Sequence, residues 1–240
     1  MSSQSSPFHI PIDLSHTALL LSDIQTDILA RFSQETQASY LAQILSLLDL
    51  FRAEIARRQE EPSQTSSYQD TPLIIHHVLP FGYNSNAFIS PYNKLSSWVQ
   101  SLERKGFFTI PAAARDPRTP NYPIPASLLP PTSDRDSDSA GFGKGPNEIL
   151  LPKFQTSSFG SSDLLGYLRA RGVRHVVLCG LTTMGAILGG ARQGADLDYH
   201  IVIPRQAVMD DEEDVNSFLL ERVLPKFVDV VDVDDVKKLF

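Results

Sequence analysis

Short, mostly apolar runs separated by segments of helical periodicity constrain the fold of this chain more than any other feature. The runs occupy positions 17–21, 73–79, 175–179 and 200–203. Strands with few polar residues are typical of parallel sheets, because helices cover both faces of such sheets. The segment 37–59 carries apolar residues every three or four positions and predicts one of these covering helices. The alternation of the two patterns predicts an α/β protein.

Weaker patterns complete the predicted element order. Ser90 and Pro91 are typical of a helix start, and Gly172 is typical of a helix end. Strands alternating with helices predict a three-layer α/β/α sandwich with a mostly parallel sheet of about six strands and right-handed crossovers. The further strands are predicted at 148–151 and 228–231, and the further helices at 90–105, 162–171, 184–196, 211–226 and 234–239.

Composition and length limit the domain organisation and the partners. The 240 residues suit an N-terminal extension at 1–16 and one domain at 17–240, with an irregular, Pro- and Ser-rich insertion at 112–146. The net charge of −7 argues against nucleic acid and anionic membranes as partners. One cysteine and no long apolar run predict a cytoplasmic protein without disulfides or membrane spans.

Chemistry-bearing residues follow three of the predicted strands. Ligands of open α/β sheets bind beyond the carboxyl ends of the strands, which is where Asp23, Lys153 and the turn at 180–186 lie. At its position, Asp23 is either a catalytic carboxyl group or a residue that forms the turn. Lys153 either pairs with a buried acid or extends into solvent. The turn either presents a set of backbone N–H groups that bind an oxyanion or is an ordinary connection between a strand and a helix.

Taken together, these segments resemble the isochorismatase-like hydrolase superfamily. The segment 17–29 is similar to the first strand of that superfamily, and Asp23 matches its catalytic aspartate. Lys153, ahead of Ser158–Leu164, matches its catalytic lysine. The segment 81–94 is similar to one branch, and the segment 180–199 is similar to the nucleophile-bearing turn and helix. The resemblance extends over 17–240 apart from the insertion.

The nucleophile position is where the sequence departs from the cysteine-dependent members. Ala186 stands there, and the resemblance implies a cis peptide at Leu181–Thr182 or at the bond that follows it. Met184 replaces a residue that is more usually small and polar, which predicts an apolar wall. Cys179 lies before the turn, inside a predicted strand, and is interpreted as a core thiol.

An alanine cannot form a covalent intermediate, so the resemblance implies the chemistry of the members without cysteine. Those members hydrolyse a vinyl ether by acid catalysis, with Asp23 as the proton donor and Lys153 holding the acid and a substrate carboxylate. Two alternatives stay open. One is a cysteine-type amidase, similar to nicotinamidases, whose nucleophile has been replaced at Ala186. The other is a non-catalytic ligand-binding homologue.

The remaining predictions concern ligands and partners. His76 and His77 are adjacent and point to opposite faces of a strand, so they cannot share a metal ion, and neither a metal nor a cofactor is expected. The resemblance implies a small metabolite as substrate, a role in specialised metabolism and a homo-oligomer. The residues predicted to contact substrate are Gln25, Tyr83, Asn93, Phe159, Thr182, Thr183, Met184 and Gly185.

Overall fold

A seven-stranded sheet, parallel at every pairing, forms the centre of the molecule in a computed structural model. The structure describes residues 6–60, 70–79, 89–105, 124–130, 147–160 and 162–240. Six strands follow the order β3-β2-β1-β4-β5-β7, and the two-residue β6 pairs with β4. The strands are β1 Thr17–Ser22, β2 Leu73–Val78, β3 Glu148–Pro152, β4 His175–Leu181, β5 His200–Pro204, β6 Val208–Met209 and β7 Asp229–Val231.

Helices cover both faces of the sheet, which confirms the predicted α/β/α sandwich. Alternate residues of the central strand β1 face opposite cores. Leu19 and Leu21 pack in the core that includes α2, whereas Ala18 and Leu20 pack in the core that includes α4. The helices are α1 Thr26–Leu29, α2 Gln34–Glu60, α3 Lys94–Arg104, α4 Ser162–Ala170, α5 Leu188–Asp196, α6 Glu213–Phe218 and α7 Val233–Lys237.

Three predicted helices begin or end elsewhere than the sequence suggests. Helix α3 begins at Lys94 rather than near Ser90, because the side chain of Asn93 accepts the Leu95 N–H and forms the cap. The predicted helix at 184–196 begins with a π-type turn, Thr183–Ile187. The predicted helix at 211–226 is α6 followed by a π-type turn and a 3-10 turn, since Pro225 lacks the N–H that an α-helix would need there.

Part of the predicted organisation falls outside the described residues. Tyr83 and most of the 112–146 insertion lie there, and the described part of the insertion contains one 3-10 turn, Ala126–Leu128. In the predicted N-terminal extension, the described residues reach the sheet, where the backbone N–H of His9 donates to Asp229. None of the helices formed by the described residues has the length and hydropathy required to cross a lipid bilayer.

Candidate active site

A buried ion pair lies at the carboxyl ends of the central strands. The Nζ atom of Lys153 is 2.7 Å from Oδ2 of Asp23, and both side chains are almost completely removed from solvent. Asp23 directly follows β1 and Lys153 directly follows β3, so the long lysine side chain extends past the end of the intervening β2. The geometry therefore brings together the two residues that the sequence singled out.

The backbone around Asp23 aims its carboxyl group into this edge of the sheet. Asp23 has a φ of 58° and donates its N–H to the carbonyl of His77 at 2.8 Å. Its Oδ2 atom contacts Lys153, while Oδ1 is buried without a hydrogen-bond partner among the described residues. One carboxylate oxygen is thus held, and the other can accept or carry a proton.

The protonation behaviour of Asp23 follows from its burial. Removal from water raises the pKa of Asp23 to about 6, and the neighbouring Lys153 ammonium opposes this increase without cancelling it. Burial, with a smaller contribution from the Lys153 charge, lowers the pKa of His77 to about 3. At neutral pH, His77 is therefore an uncharged neighbour, and Asp23 titrates within the physiological range.

Lys153 is fixed by a second contact in the loop that follows β3. Its ammonium donates to the carbonyl oxygen of Thr156 at 2.6 Å. In the same loop, the hydroxyl of Ser158 lies 3.0 Å from the hydroxyl of Ser22 at the end of β1. These contacts hold the lysine nitrogen against Asp23 and connect the two strand ends.

The turn after β4 begins beside the end of β1, and Gly180 allows the two strand ends to approach closely. A Cβ atom at Gly180 would lie 2.0 Å from the carbonyl oxygen of Ser22, and the φ of Gly180 is 141°. The Leu181–Thr182 peptide is cis, at one of the two bonds that the resemblance implied. Ala186 follows within the π-type turn and is 2% exposed.

Side chains from outside the turn fix its conformation, and sequence reasoning missed them. The carboxylate of Asp210 accepts the Met184 N–H at 2.8 Å and also bonds the Thr182 side chain. The hydroxyl of Thr183 donates to the side-chain oxygen of Asn216 at 2.6 Å. Asp210 follows β6 and Asn216 lies in α6, so no local motif near the turn reveals either residue.

The N–H groups of the turn are mostly used within the protein. Met184 donates to Asp210, while Gly185 and Ile187 both donate to the carbonyl of Thr182. An oxyanion-binding set that includes those three donors, one of the two alternatives for this turn, is therefore not present in this conformation.

The residues predicted to contact substrate lie in different surroundings. Both ends of the Gln25 carboxamide pair with the backbone of Leu79, so this side chain ties the β1 loop to the end of β2. Asn93 caps α3. Phe159 is 2% exposed and packs in the core beside Tyr199, with ring centroids 5.5 Å apart. The side chain of Met184 is 54% exposed and does not form a closed apolar wall.

The remaining candidates behave as core residues. Cys179 is buried in β4 and burial raises the pKa of its thiol, which confirms the interpretation of a core cysteine. His76 bonds Glu148 at 2.8 Å, whereas His77 lies near Lys153, so the two imidazoles do face different surroundings.

The fold and the buried pair define an α/β protein whose chemistry-bearing residues lie at the carboxyl ends of a parallel sheet. A family model described as the isochorismatase domain matches residues 76–235, two thirds of the chain. The chain belongs to the isochorismatase family.

Individual relatives agree with this placement. The uncharacterized isochorismatase family protein YecD of Escherichia coli O157:H7 is 27% identical over 114 residues, which are 48% of this chain and 60% of that protein. The ureidoacrylate amidohydrolase RutB of Azorhizobium caulinodans is 36% identical over 62 residues, 26% of this chain and 27% of that protein. The alignments therefore span less than two thirds of the length of either curated relative.

A solved structure gives the same fold over the whole length. An isochorismatase family protein from Burkholderia thailandensis superposes with a TM-score of 0.63, 20% sequence identity and coverage of 98% of both chains. At this identity the similarity establishes the architecture alone.

Proposed function

We propose that this protein hydrolyses a small metabolite by acid–base catalysis through Asp23 and Lys153, without a covalent enzyme intermediate. The observation that carries the proposal is the 2.7 Å contact between these buried side chains, with the second oxygen of Asp23 left without a partner among the described residues. A carboxyl with a pKa raised to about 6 can be protonated when substrate binds and can return that proton to the enzyme later.

The absence of a thiol at the turn supports this choice over amide cleavage by thiolate attack. Ala186 occupies the position that the resemblance gives to the nucleophile. The one cysteine of the sequence, Cys179, is buried in β4 with a raised thiol pKa, so it cannot supply a thiolate at the turn. A route that needs no thiolate fits these residues better.

An enol ether that bears a carboxylate is the substrate class that suits this pair. Asp23 would transfer its proton to the terminal enol carbon, which leaves an oxocarbenium carbon that water attacks. The hemiketal that results would collapse to a ketone and an alcohol, and the released proton would return to Asp23. The net reaction is the addition of one water molecule, and the Lys153 ammonium would balance the carboxylate of Asp23 and that of the substrate.

The test is turnover of a panel of carboxylate-bearing enol ethers, followed by mass spectrometry in water labelled with ¹⁸O. We expect Asp23→Asn to lower kcat by about a hundred- to ten-thousandfold, the usual contribution of general acid catalysis. Asp49→Asn, an exposed change of the same type on α2, is the matched control and should retain the wild-type rate. An Asp23→Asn enzyme with the rate of the wild type would exclude the mechanism.

The second candidate is a ligand-binding homologue without catalysis, and Ala186 is the observation that favours it. The same panel separates the two proposals, because a binding protein would show saturable affinity for a compound with no product formed. An amidase-like origin is tested by Ala186→Cys, which would gain cleavage of small amides or ureido compounds together with an acyl-enzyme adduct in the intact mass.

A further inference from the structure

Three side chains that can bind a metal ion converge at the edge of the sheet opposite to Asp23. His200 is the first residue of β5 and Asp229 is the first residue of β7, so these two lie at the amino ends of neighbouring parallel strands. His9 reaches them from the N-terminal segment that precedes β1. The cluster is therefore separate from the pair at the carboxyl ends.

The ligand atoms of this cluster lie close together. The Oδ2 atom of Asp229 is 3.0 Å from Nδ1 of His9 and 2.8 Å from Nε2 of His200. All three candidate ligand atoms lie within 4.8 Å of one another. The His200 side chain is 4% exposed and that of His9 is 60% exposed, so the cluster lies at the protein surface with one buried and one accessible imidazole.

A third histidine fixes the buried imidazole. The Nδ1 atom of His175, the first residue of β4, lies 2.9 Å from Nδ1 of His200. In the metal-free protein Nε2 of His200 donates to Asp229. When a metal ion displaces that proton, Nδ1 of His200 can donate to Nδ1 of His175 and leave the lone pair of Nε2 for the ion. Histidine ligands of metal ions usually have such a hydrogen-bonded partner on the second nitrogen.

We propose that His9, His200 and Asp229 bind a divalent transition-metal ion of the Zn²⁺ type, with water in the remaining position. Two imidazoles and a carboxylate suit such ions, whereas Ca²⁺ and Mg²⁺ prefer oxygen ligands alone. His175 acts as the hydrogen-bonded support of His200. No step of the proposed hydrolysis involves this site.

The spacing of the ligand atoms fits a small ion after a modest adjustment. Tetrahedral Zn²⁺ with bonds near 2.0–2.1 Å separates its ligand atoms by about 3.3 Å. The two observed contacts to Oδ2, 3.0 and 2.8 Å, would lengthen by a few tenths of an ångström when the ion replaces the shared protons. The exposed ring of His9 is free to make that adjustment, because most of its side chain faces solvent.

The consequence of binding is a link between the N-terminal segment and the sheet. The neighbouring Phe8 packs against the core that includes α2, and the backbone N–H of His9 already donates to Asp229. A metal ion would add bonds between this segment and the first residues of β5 and β7. Because the ion binds the folded state, it would raise the stability of the protein as its concentration rises.

The experiment uses the tag-free full chain, freed of metal with a chelator and titrated with ZnCl₂ by calorimetry. We expect one Zn²⁺ per chain for the wild type, and loss of saturable binding in His9→Gln and in Asp229→Asn. His16→Gln is the matched control, because His16 lies in the same segment but pairs with Asp13 instead. Cobalt should give the visible absorption bands of a tetrahedral site in the wild type and in the control variant.

Two further measurements distinguish a specific metal site from nonspecific binding of Zn²⁺. His175→Gln should weaken Zn²⁺ binding by about 10- to 100-fold, as the loss of a supporting hydrogen bond does at other metal sites. Zn²⁺ should raise the Tm of the wild type but not that of His9→Gln, a change at an exposed side chain that leaves the fold intact. Wild-type affinity in His9→Gln, or no saturable binding by the wild type, would overturn the proposal.

Discussion

At the scale of single residues, the informative feature is that one carboxylic acid is buried against one ammonium group. The sequence predicted that Asp23 and Lys153 lie at the same edge, because the ends of parallel strands meet there. It could not predict whether burial or the lysine would dominate the pKa of Asp23. That balance depends on how completely Asp23 is buried and on how close Lys153 lies, which only the tertiary structure provides.

The pH dependence of the rate follows from the raised pKa of Asp23. A general acid must carry its proton, so kcat/KM should be constant below about pH 6 and fall about tenfold per pH unit above it. A steady-state profile between pH 5 and 8 on the best substrate of the panel measures this limb. The Asp49→Asn variant should show the same decrease of kcat/KM above pH 6. A profile that stays level from pH 5 to 8 would argue against Asp23 as the acid.

Gly180 is the residue at which a single methyl group should be least tolerated. In Gly180→Ala the new Cβ would lie 2.0 Å from the Ser22 carbonyl oxygen, at a φ that side chains rarely adopt. We expect a loss of more than about 4 kcal/mol in the free energy of unfolding, or failure to fold.

The control for this change is Gly166→Ala in α4. A Cβ atom there meets nothing within 4 Å, so the substitution should stabilise the helix by about 0.5–1 kcal/mol. Urea unfolding measures both variants. Equal stability of the two alanine variants would contradict the close approach of β1 and β4.

At the scale of elements, the turn Thr183–Ile187 is the part of the candidate site that sequence patterns describe least well. Helix α2 was predicted well, because buried residues such as Ile44, Leu48 and Phe51 recur with helical period over a long segment. The turn has no such period. Asp210 and Asn216 hold it from other elements, and contacts between distant segments leave no local signal in a sequence.

Asp210→Ala tests the role of these contacts in the turn. The variant removes the acceptor of the Met184 N–H, and the loss of one hydrogen bond costs about 0.5–1.5 kcal/mol. We expect faster hydrogen exchange of the Met184 amide and lower stability. Asp210→Asn retains an acceptor oxygen and should lie between Asp210→Ala and the wild type.

The control is Glu221→Ala, a change of an exposed acid, which should leave the exchange of Met184 unchanged. Exchange is measured by mass spectrometry on peptides that cover the turn. If the peptide exchanges at the same rate in Asp210→Ala and in the wild type, the carboxylate does not restrain the turn.

At the scale of the whole molecule, the sheet order follows from the sequence more directly than the path of the N-terminal segment does. Alternating strands and helices restrict the topology to a few parallel arrangements, and the observed sheet is one of them. From the sequence, residues 1–16 were predicted to form an N-terminal extension. Nothing in the sequence indicated that His9 would contact Asp229, since the two are 220 positions apart.

Acid should destabilise the whole molecule through its buried histidines. The pKa values of His76, His77, His175 and His200 are all lowered, in each case first by burial. The unfolded chain, with ordinary histidine pKa values near 6.5, therefore binds more protons than the native state as the pH falls below 6.5. Their stabilising contribution is complete above that pH and is lost progressively below it. Asp23, whose pKa is raised, contributes in the opposite direction but is a single group.

His77 allows this effect to be isolated. With a folded-state pKa of about 3, it alone should lower the free energy of unfolding by about 2 kcal/mol between pH 8 and pH 5. Urea unfolding at the two pH values measures the change, and His77→Gln should reduce it by a similar amount. If the wild type and His77→Gln lose the same stability between pH 8 and pH 5, the pKa of His77 is not lowered in the native state.

The exposed side chain of Met184 has a practical consequence for redirecting this scaffold by directed evolution. Met184 lies in the same turn as Ala186, yet more than half of it faces solvent, so exchanges at this position disturb little packing. Gly180, a few positions earlier, has no such freedom because the Ser22 carbonyl fills the space. A mutant library that randomises position 184 and leaves position 180 untouched would explore new specificities while most of its members still fold.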